Sequence, residues 1–182
     1  MTAAMLRFAQ QLGPDDTGLF YYAGHGVQVD GSNYLIPLKA EINSKLRVQL
    51  EALDVAHVLN AMKGTGSRLN IVILDACRNN PYERALRGQS RGLAVMDAAK
   101  GTLIAYATAP GEVAADGGGK HGVYTEALLD ALVVPGLQVE EVFKKVRIEV
   151  ERRTNGKQIP WESSSLTGDF VFKAGGGVST VA

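Results

Sequence analysis

Three runs of apolar, β-branched and aromatic residues set the frame of the chain: Thr17-Gly-Leu-Phe-Tyr-Tyr-Ala23, Leu69-Asn-Ile-Val-Ile-Leu-Asp75 and Gly101-Thr-Leu-Ile-Ala-Tyr-Ala-Thr108. They lack the strict alternation of half-exposed strands and read as strands buried on both faces of a sheet. Helical spacing fills the intervals. Met5, Phe8, Ala9 and Leu12 fall at i, i+3, i+4 and i+7 and predict an amphipathic helix ended by Gly13-Pro14. A second helix is expected from about 50 to 63, with Val55, Val58, Leu59 and Met62 on one face and Gly64-Thr-Gly66 as its stop. A third covers 124–132, and Val139, Val142, Phe143, Val146 and Val150 form the stripe of a fourth. The stretch 27–38 predicts a hairpin turning at Asp30-Gly31. A last strand is expected over 169–173, with the glycine-rich residues from 174 to 182 as a tail or linker. Strands alternating with helices mean an α/β domain with a mainly parallel sheet.

Composition narrows the function classes. At 182 residues the chain suits one domain with a substantial core. Its 19 Lys and Arg balance 19 Asp and Glu, so neither a nucleic-acid surface nor an anionic-membrane surface is expected. No stretch approaches the ~20 apolar residues of a membrane span, and the first residues lack the basic start and apolar core of a signal peptide. One cysteine excludes an internal disulfide and, with three histidines, argues against a structural zinc site. A reducing cytoplasm is the compartment these features favour.

The chemistry sits at strand tips. The first buried run ends in Gly24-His25-Gly26 and the second in Asp75-Ala76-Cys77-Arg78, so a thiol and an imidazole 52 positions apart can be brought face to face. In open parallel sheets, chemistry collects at the carboxyl ends of strands. A cysteine attacks as its thiolate, and the free thiol's pKa of about 8.5 must be lowered by an imidazolium or by backbone amides. His25 can take that proton and return it to a leaving amine. The N–H groups of Gly26 and Cys77 are candidate oxyanion donors. Taken singly, a cysteine at a strand end is more often a small core residue, and a Gly-His-Gly turn is usually structural. The pairing at this spacing, similar to that of caspases, favours a dyad for acyl transfer.

Tyr21-Tyr-Ala-Gly-His-Gly26, Asp75-Ala-Cys-Arg78 and Asn33-Tyr-Leu-Ile-Pro37 resemble the caspase-like cysteine peptidases, specifically the bacterial metacaspase-like branch called orthocaspases. Gly122-Val-Tyr-Thr-Glu-Ala-Leu-Leu129 and Gln158-Ile-Pro-Trp-Glu162 resemble the later part of the same domain. The resemblance implies a three-layer α/β/α caspase-like fold over 1–173. A large-subunit-like part would cover about 1–83, an exposed loop 84–92, and a small-subunit-like part 93–173. It matches His25 and Cys77 to the family's dyad. It also implies peptide or protein substrates and no cofactor, and is compatible with further domains in a longer parent protein, which these residues do not specify.

Asp75 carries the specificity expectation. Caspases proper have Gln two places before the nucleophile and cleave after Asp, whereas metacaspase-like members have Asp there and select Arg or Lys. The resemblance therefore implies a basic P1 residue, and charge complementarity agrees, because a buried carboxylate pairs with a guanidinium and repels an aspartate. The plainer reading of Asp75 is a loop-capping carboxylate. With a basic P1, Arg84, Arg87 and Arg91 become candidate self-cleavage sites; the plainer reading is a solvated charged loop. Trp161 either packs or lies beside the substrate groove, and His57 and His121 receive no role.

Two departures from the family pattern qualify the expectation. The strand, helix and second strand with which family members begin have no counterpart here, so the domain reads as N-terminally truncated and the 19–23 strand as an exposed edge. The region after the histidine strand, Lys39-Ala-Glu-Ile-Asn-Ser-Lys45, is poor in carboxylates. With few oxygens for a calcium ion, no calcium requirement is expected. Two rival readings stand beside the peptidase: a catalytically silent caspase-like interaction module, and a nucleotide- or flavin-binding doubly wound domain. The second lacks a phosphate loop, since Gly117 to Gly119 precede no Lys-Ser/Thr pair.

Overall fold

The computed structural model describes residues 1–76, 92–110, 112 and 121–175. In chain order its elements are α1 (Thr2–Gln11), β1 (Thr17–Ala23), β2 (Gly26–Val29), β3 (Ser32–Leu35), α2 (Lys45–Glu51), β4 (Leu53–Asp54), α3 (Val55–Gly64), β5 (Leu69–Asp75), β6 (Thr102–Tyr106), α4 (Val123–Leu132), α5 (Val139–Arg153) and β7 (Trp161–Ser164). The main sheet runs β1-β5-β6-β7 and a smaller one runs β2-β3-β4. β1, β5 and β6 are parallel, and β7 closes the sheet antiparallel to β6.

The register assigns side chains to the two faces of the main sheet. Gly18 pairs with Asn70, and a Cβ on Gly18 would lie 2.9 Å from both Leu12 Cδ1 and Met62 Cε. That face therefore carries the end of α1 and α3. Tyr21 and Asp75 lie on the opposite face, where both reach Thr125 of α4. Arg147 of α5 pairs there with Glu162 of β7. Helices thus cover both faces, the three-layer α/β/α arrangement expected of a caspase-like domain. Every residue of β5 is buried, as a central strand between two neighbours and two helical layers must be. β1 ends the sheet on one side, with Leu19 and Tyr21 40 % and 41 % exposed.

Two elements differ from their sequence expectation. The helix expected over 50–63 is two helices separated by β4. Asp54 takes an extended conformation to pair with Tyr34, and its side chain accepts the Ala56 N–H at 2.8 Å. An Asp that caps a new helix is worth more there than in a helix interior, where its side chain competes with the backbone. The last strand is Trp161–Ser164, not 169–173. Of the expected segment, Val171 forms a single antiparallel bridge with Gln138, while Phe170 and Phe172 pack edge to face, centroids 5.1 Å apart. Their aromatic content reads as strand-forming, but packing beside the α5 start uses it instead. The hairpin falls as expected, with Asp30 and Gly31 at φ 50° and 87°, the two left-handed residues of a two-residue turn.

Candidate active site

The chain leaves the main sheet for the small one through Gly24-His25-Gly26. Two bonds secure the passage: Gly24 N–H donates to Asp75 O at 3.1 Å, and Ile36 N–H donates to His25 O at 2.9 Å. The Tyr22 hydroxyl lies 2.9 Å from His25 O and 2.8 Å from Ile36 O. Its ring covers Gly24, where an added Cβ would come within 2.6 Å of the phenolic oxygen. Gly26 is tighter still: a Cβ there would lie 2.7 Å from Ala76 O and 3.1 Å from Leu93 Cδ2. Close approach thus favours glycine on both sides of His25, by the Tyr22 ring at Gly24 and by the Ala76 backbone at Gly26.

The hairpin register also fixes which way Gly26 N–H points. Val29 and Ser32 flank the two-residue turn, so hydrogen-bonded pairs recur at Val27·Tyr34 and at His25·Ile36. Gly26, opposite Leu35, falls on the alternate position. Its N–H is directed away from β3. His25 itself lines an open cavity of about 940 Å³ with Tyr22, Gly24, Ile36, Pro37 and Leu38.

Asp75, the last residue of β5, is 4 % exposed. Its Oδ2 accepts a hydrogen bond from Thr125 Oγ1 at 2.6 Å, and the Tyr21 hydroxyl lies 2.7 Å from that same threonine oxygen. Tyr124, the preceding residue of α4, is fully buried, and its hydroxyl has no hydrogen-bond partner among the described residues. Burial, then the charges of Asp75 and Glu162, push its pKa well above the ordinary tyrosine range.

A family model for the caspase domain of the C14 peptidases matches residues 1–171. The chain belongs to the caspase-domain family. Mucosa-associated lymphoid tissue lymphoma translocation protein 1 of Homo sapiens is 31 % identical over 123 residues, 64 % of this chain and 14 % of that protein. Its Mus musculus homolog matches to the same extent. The chain spans only a small part of these curated relatives. Membership in a peptidase family suggests proteolytic activity for this caspase domain.

Of the residues singled out in the sequence, the caspase domain brings His25, Gly26 and Asp75 to the carboxyl ends of β1 and β5. Cys77, Arg84, Arg87 and Arg91 lie outside the described residues, as does most of the loop from 110 to 122. Ala76, the last described residue before Cys77, is buried against Gly26. Trp161 is 46 % exposed at the start of β7, beside a small cavity shared with Ile159 and Pro160. Among the described residues no three His, Cys, Asp or Glu side chains come together as metal ligands, and no helix is long and apolar enough to cross a membrane.

Sequence reasoning passed over Thr125 and Tyr21, which stand in quoted motifs but received no role. It also passed over Asn33, 1 % exposed, whose side-chain amide exchanges two 2.8 Å hydrogen bonds with the Ala94 backbone. Asn33 follows the polar turn Asp30-Gly-Ser32 and directly precedes Tyr34-Leu-Ile36, so residue spacing gave no clear sign that it would be buried.

Proposed function

We propose that this caspase domain is a cysteine endopeptidase that cleaves after arginine or lysine. The observation that carries the reading is the bond from Gly24 N–H to Asp75 O. It holds the histidine turn against the strand end that leads, through Ala76, into Cys77. In this reading His25 takes the Cys77 thiol proton and the thiolate attacks the carbonyl carbon after the P1 residue. The oxyanion is held by the N–H groups of Gly26 and Cys77, and the outward direction of Gly26 N–H supports that role. Collapse of the intermediate breaks the C–N bond, with His25 giving its proton to the departing amine. Water, deprotonated by His25, then hydrolyses the thioester and restores the thiol.

Asp75 is the selector of the basic P1 side chain. A carboxylate with 4 % exposure attracts a cation far more strongly than one in water and disfavours a P1 aspartate. Arg84, Arg87 and Arg91 are then candidate points of self-cleavage, read as a fall in intact mass on incubation that Cys77→Ala abolishes.

The deciding assay is hydrolysis of fluorogenic peptides ending in Arg, Lys or Asp by the wild type, Cys77→Ala and His25→Ala. Cleavage after Arg or Lys that both substitutions abolish is the expected result. Cleavage after Asp would overturn the role of Asp75, and a folded sample that cleaves nothing would favour an interaction module.

A further inference from the structure

Side chains from three elements meet behind the tip of β5: Asp75 from the strand itself, Thr125 from α4 and Tyr21 from β1. Thr125 Oγ1 donates to Asp75 Oδ2 at 2.6 Å, and the Tyr21 hydroxyl is 2.7 Å from Thr125 Oγ1. A threonine hydroxyl carries one proton. Since that proton goes to the carboxylate, the bond between the two hydroxyls can only have Tyr21 as donor. The chain therefore has one direction, Tyr21 to Thr125 to Asp75, and it ends on a charge. Hydrogen bonds to an ionised acceptor are short and roughly twice as strong as neutral ones, and donors in series polarise one another. The register makes the geometry: Ala23 pairs with Asp75 and Tyr21 with Ile73, so Tyr21 and Asp75 project from the same face, under which α4 runs.

We propose that Thr125, oriented by Tyr21, is a positioning residue that fixes the plane of the Asp75 carboxylate and thereby makes the domain prefer arginine over lysine at P1. The inference rests on Asp75 being the P1 selector. A guanidinium is planar and forms its strong paired bonds only with a carboxylate whose plane is set. An ammonium is a compact charge with rotatable donors and is far less sensitive to that plane. Loss of the Thr125 hydroxyl should therefore cost arginine substrates more than lysine substrates. A hydroxyl that served stability alone would lower both equally or neither.

The test compares kcat/KM for peptides with Arg, Lys or the uncharged isostere citrulline at P1, in the wild type, Thr125→Val, Thr125→Ser, Tyr21→Phe and Asp75→Asn. Thr125→Val keeps the side-chain shape and should lower the Arg value about tenfold or more, chiefly through KM, while the Lys value falls several-fold less. Thr125→Ser should restore the Arg preference. Tyr21→Phe, at an edge-strand position 41 % exposed, should give an intermediate loss and carries the test if Thr125→Val does not fold. An unchanged Arg-to-Lys ratio in both variants, with the wild type still rejecting citrulline, overturns the positioning role and leaves Asp75 as selector. A wild type that accepts citrulline as well as Arg overturns the Asp75 reading and this inference with it. Benzamidine binding to the Cys77→Ala protein, followed by NMR, makes the comparison without turnover. Binding weakened several-fold by Thr125→Val and abolished by Asp75→Asn supports the proposal, and equal binding by all three overturns it.

Discussion

The backbone N–H of Gly24 donates to the carbonyl of Asp75 at 3.1 Å, one step beyond the last register pair of β1 and β5, Ala23 with Asp75. The parallel ladder thus continues past the strand ends and into the turn that carries His25. The backbone of the His25 turn is held by the two sheets, the rigid support that the proposed proton-transfer role requires. On the other side of that turn, Gly26 abuts Ala76, so both backbones converge one residue before Cys77.

Substituting Gly26 should therefore harm activity while His25 stays intact. A Cβ at 2.7 Å from Ala76 O and 3.0 Å from Ala76 Cβ meets backbone and strand-end atoms that cannot rotate aside. The turn must move by a few tenths of an ångström or more. Displacements of up to about 1 Å at a reacting group cost on the order of a hundredfold in rate. Gly26→Ala is expected to lower kcat/KM by roughly ten- to a hundredfold, with a smaller effect on the melting temperature. Wild-type turnover would show that the turn is not held against Ala76.

The central strand was legible because burial on both faces writes an unbroken apolar run, as in Ile71-Val-Ile-Leu74, and His25 because a polar residue between glycines ended such a run. The split of the 50–63 helix was not, since Asp54 reads as a tolerable helical residue until its pairing with Tyr34 is known. Nor were Thr125 and Tyr21: their meeting with Asp75 depends on strand register and on where α4 crosses the sheet, neither of which residue spacing specifies. Asp169 to Lys173 misled because its aromatic content suits a strand and a packed loop equally.

Asn33 should be a stability residue of the segment around Ala94. Its amide gives one hydrogen bond to Ala94 O and takes one from Ala94 N–H, both 2.8 Å, at 1 % exposure. Asn33→Ala leaves two backbone groups without these partners, each costing about 1–3 kcal/mol when buried. A loss of roughly 2–4 kcal/mol in chemical unfolding is expected. A change below about 0.5 kcal/mol would mean that water replaces the amide fully.

Acid stability should carry the mark of Glu149. Hydrogen bonds from Arg152 and Arg153, at 2.6–2.9 Å, hold its carboxyl at about 2 against an ordinary value of 4.5. The folded-state pKa is depressed, so the stabilisation is fully present above pH 4.5 and is lost as pH falls from there toward 2. Glu149→Gln should be less stable than wild type at neutral pH, with a gap that closes across that window and narrows in high salt, as exposed ion pairs do. A gap independent of pH would assign the effect to packing.

Tyr124 gives the opposite sign. Its phenol is 1 % exposed and its hydroxyl has no hydrogen-bond partner among the described residues, so folding strips water from a polar group without a compensating bond from them. Burial and the nearby Asp75 charge hold its pKa well up, so the group is a neutral phenol at neutral pH. Tyr124→Phe removes the desolvation cost and keeps the ring in the core. The variant should be more stable by about 1 kcal/mol, the lower end of the cost of a buried unsatisfied hydroxyl. That corresponds to a rise of roughly 2–4 °C in melting temperature for a chain of this size. A fall in stability would mean that the hydroxyl has a partner when the domain is folded in solution. Comparing the two melts in the presence of benzamidine would then tell whether that partner belongs to the Asp75 site, because a ligand on Asp75 would stabilise the wild type and Tyr124→Phe unequally.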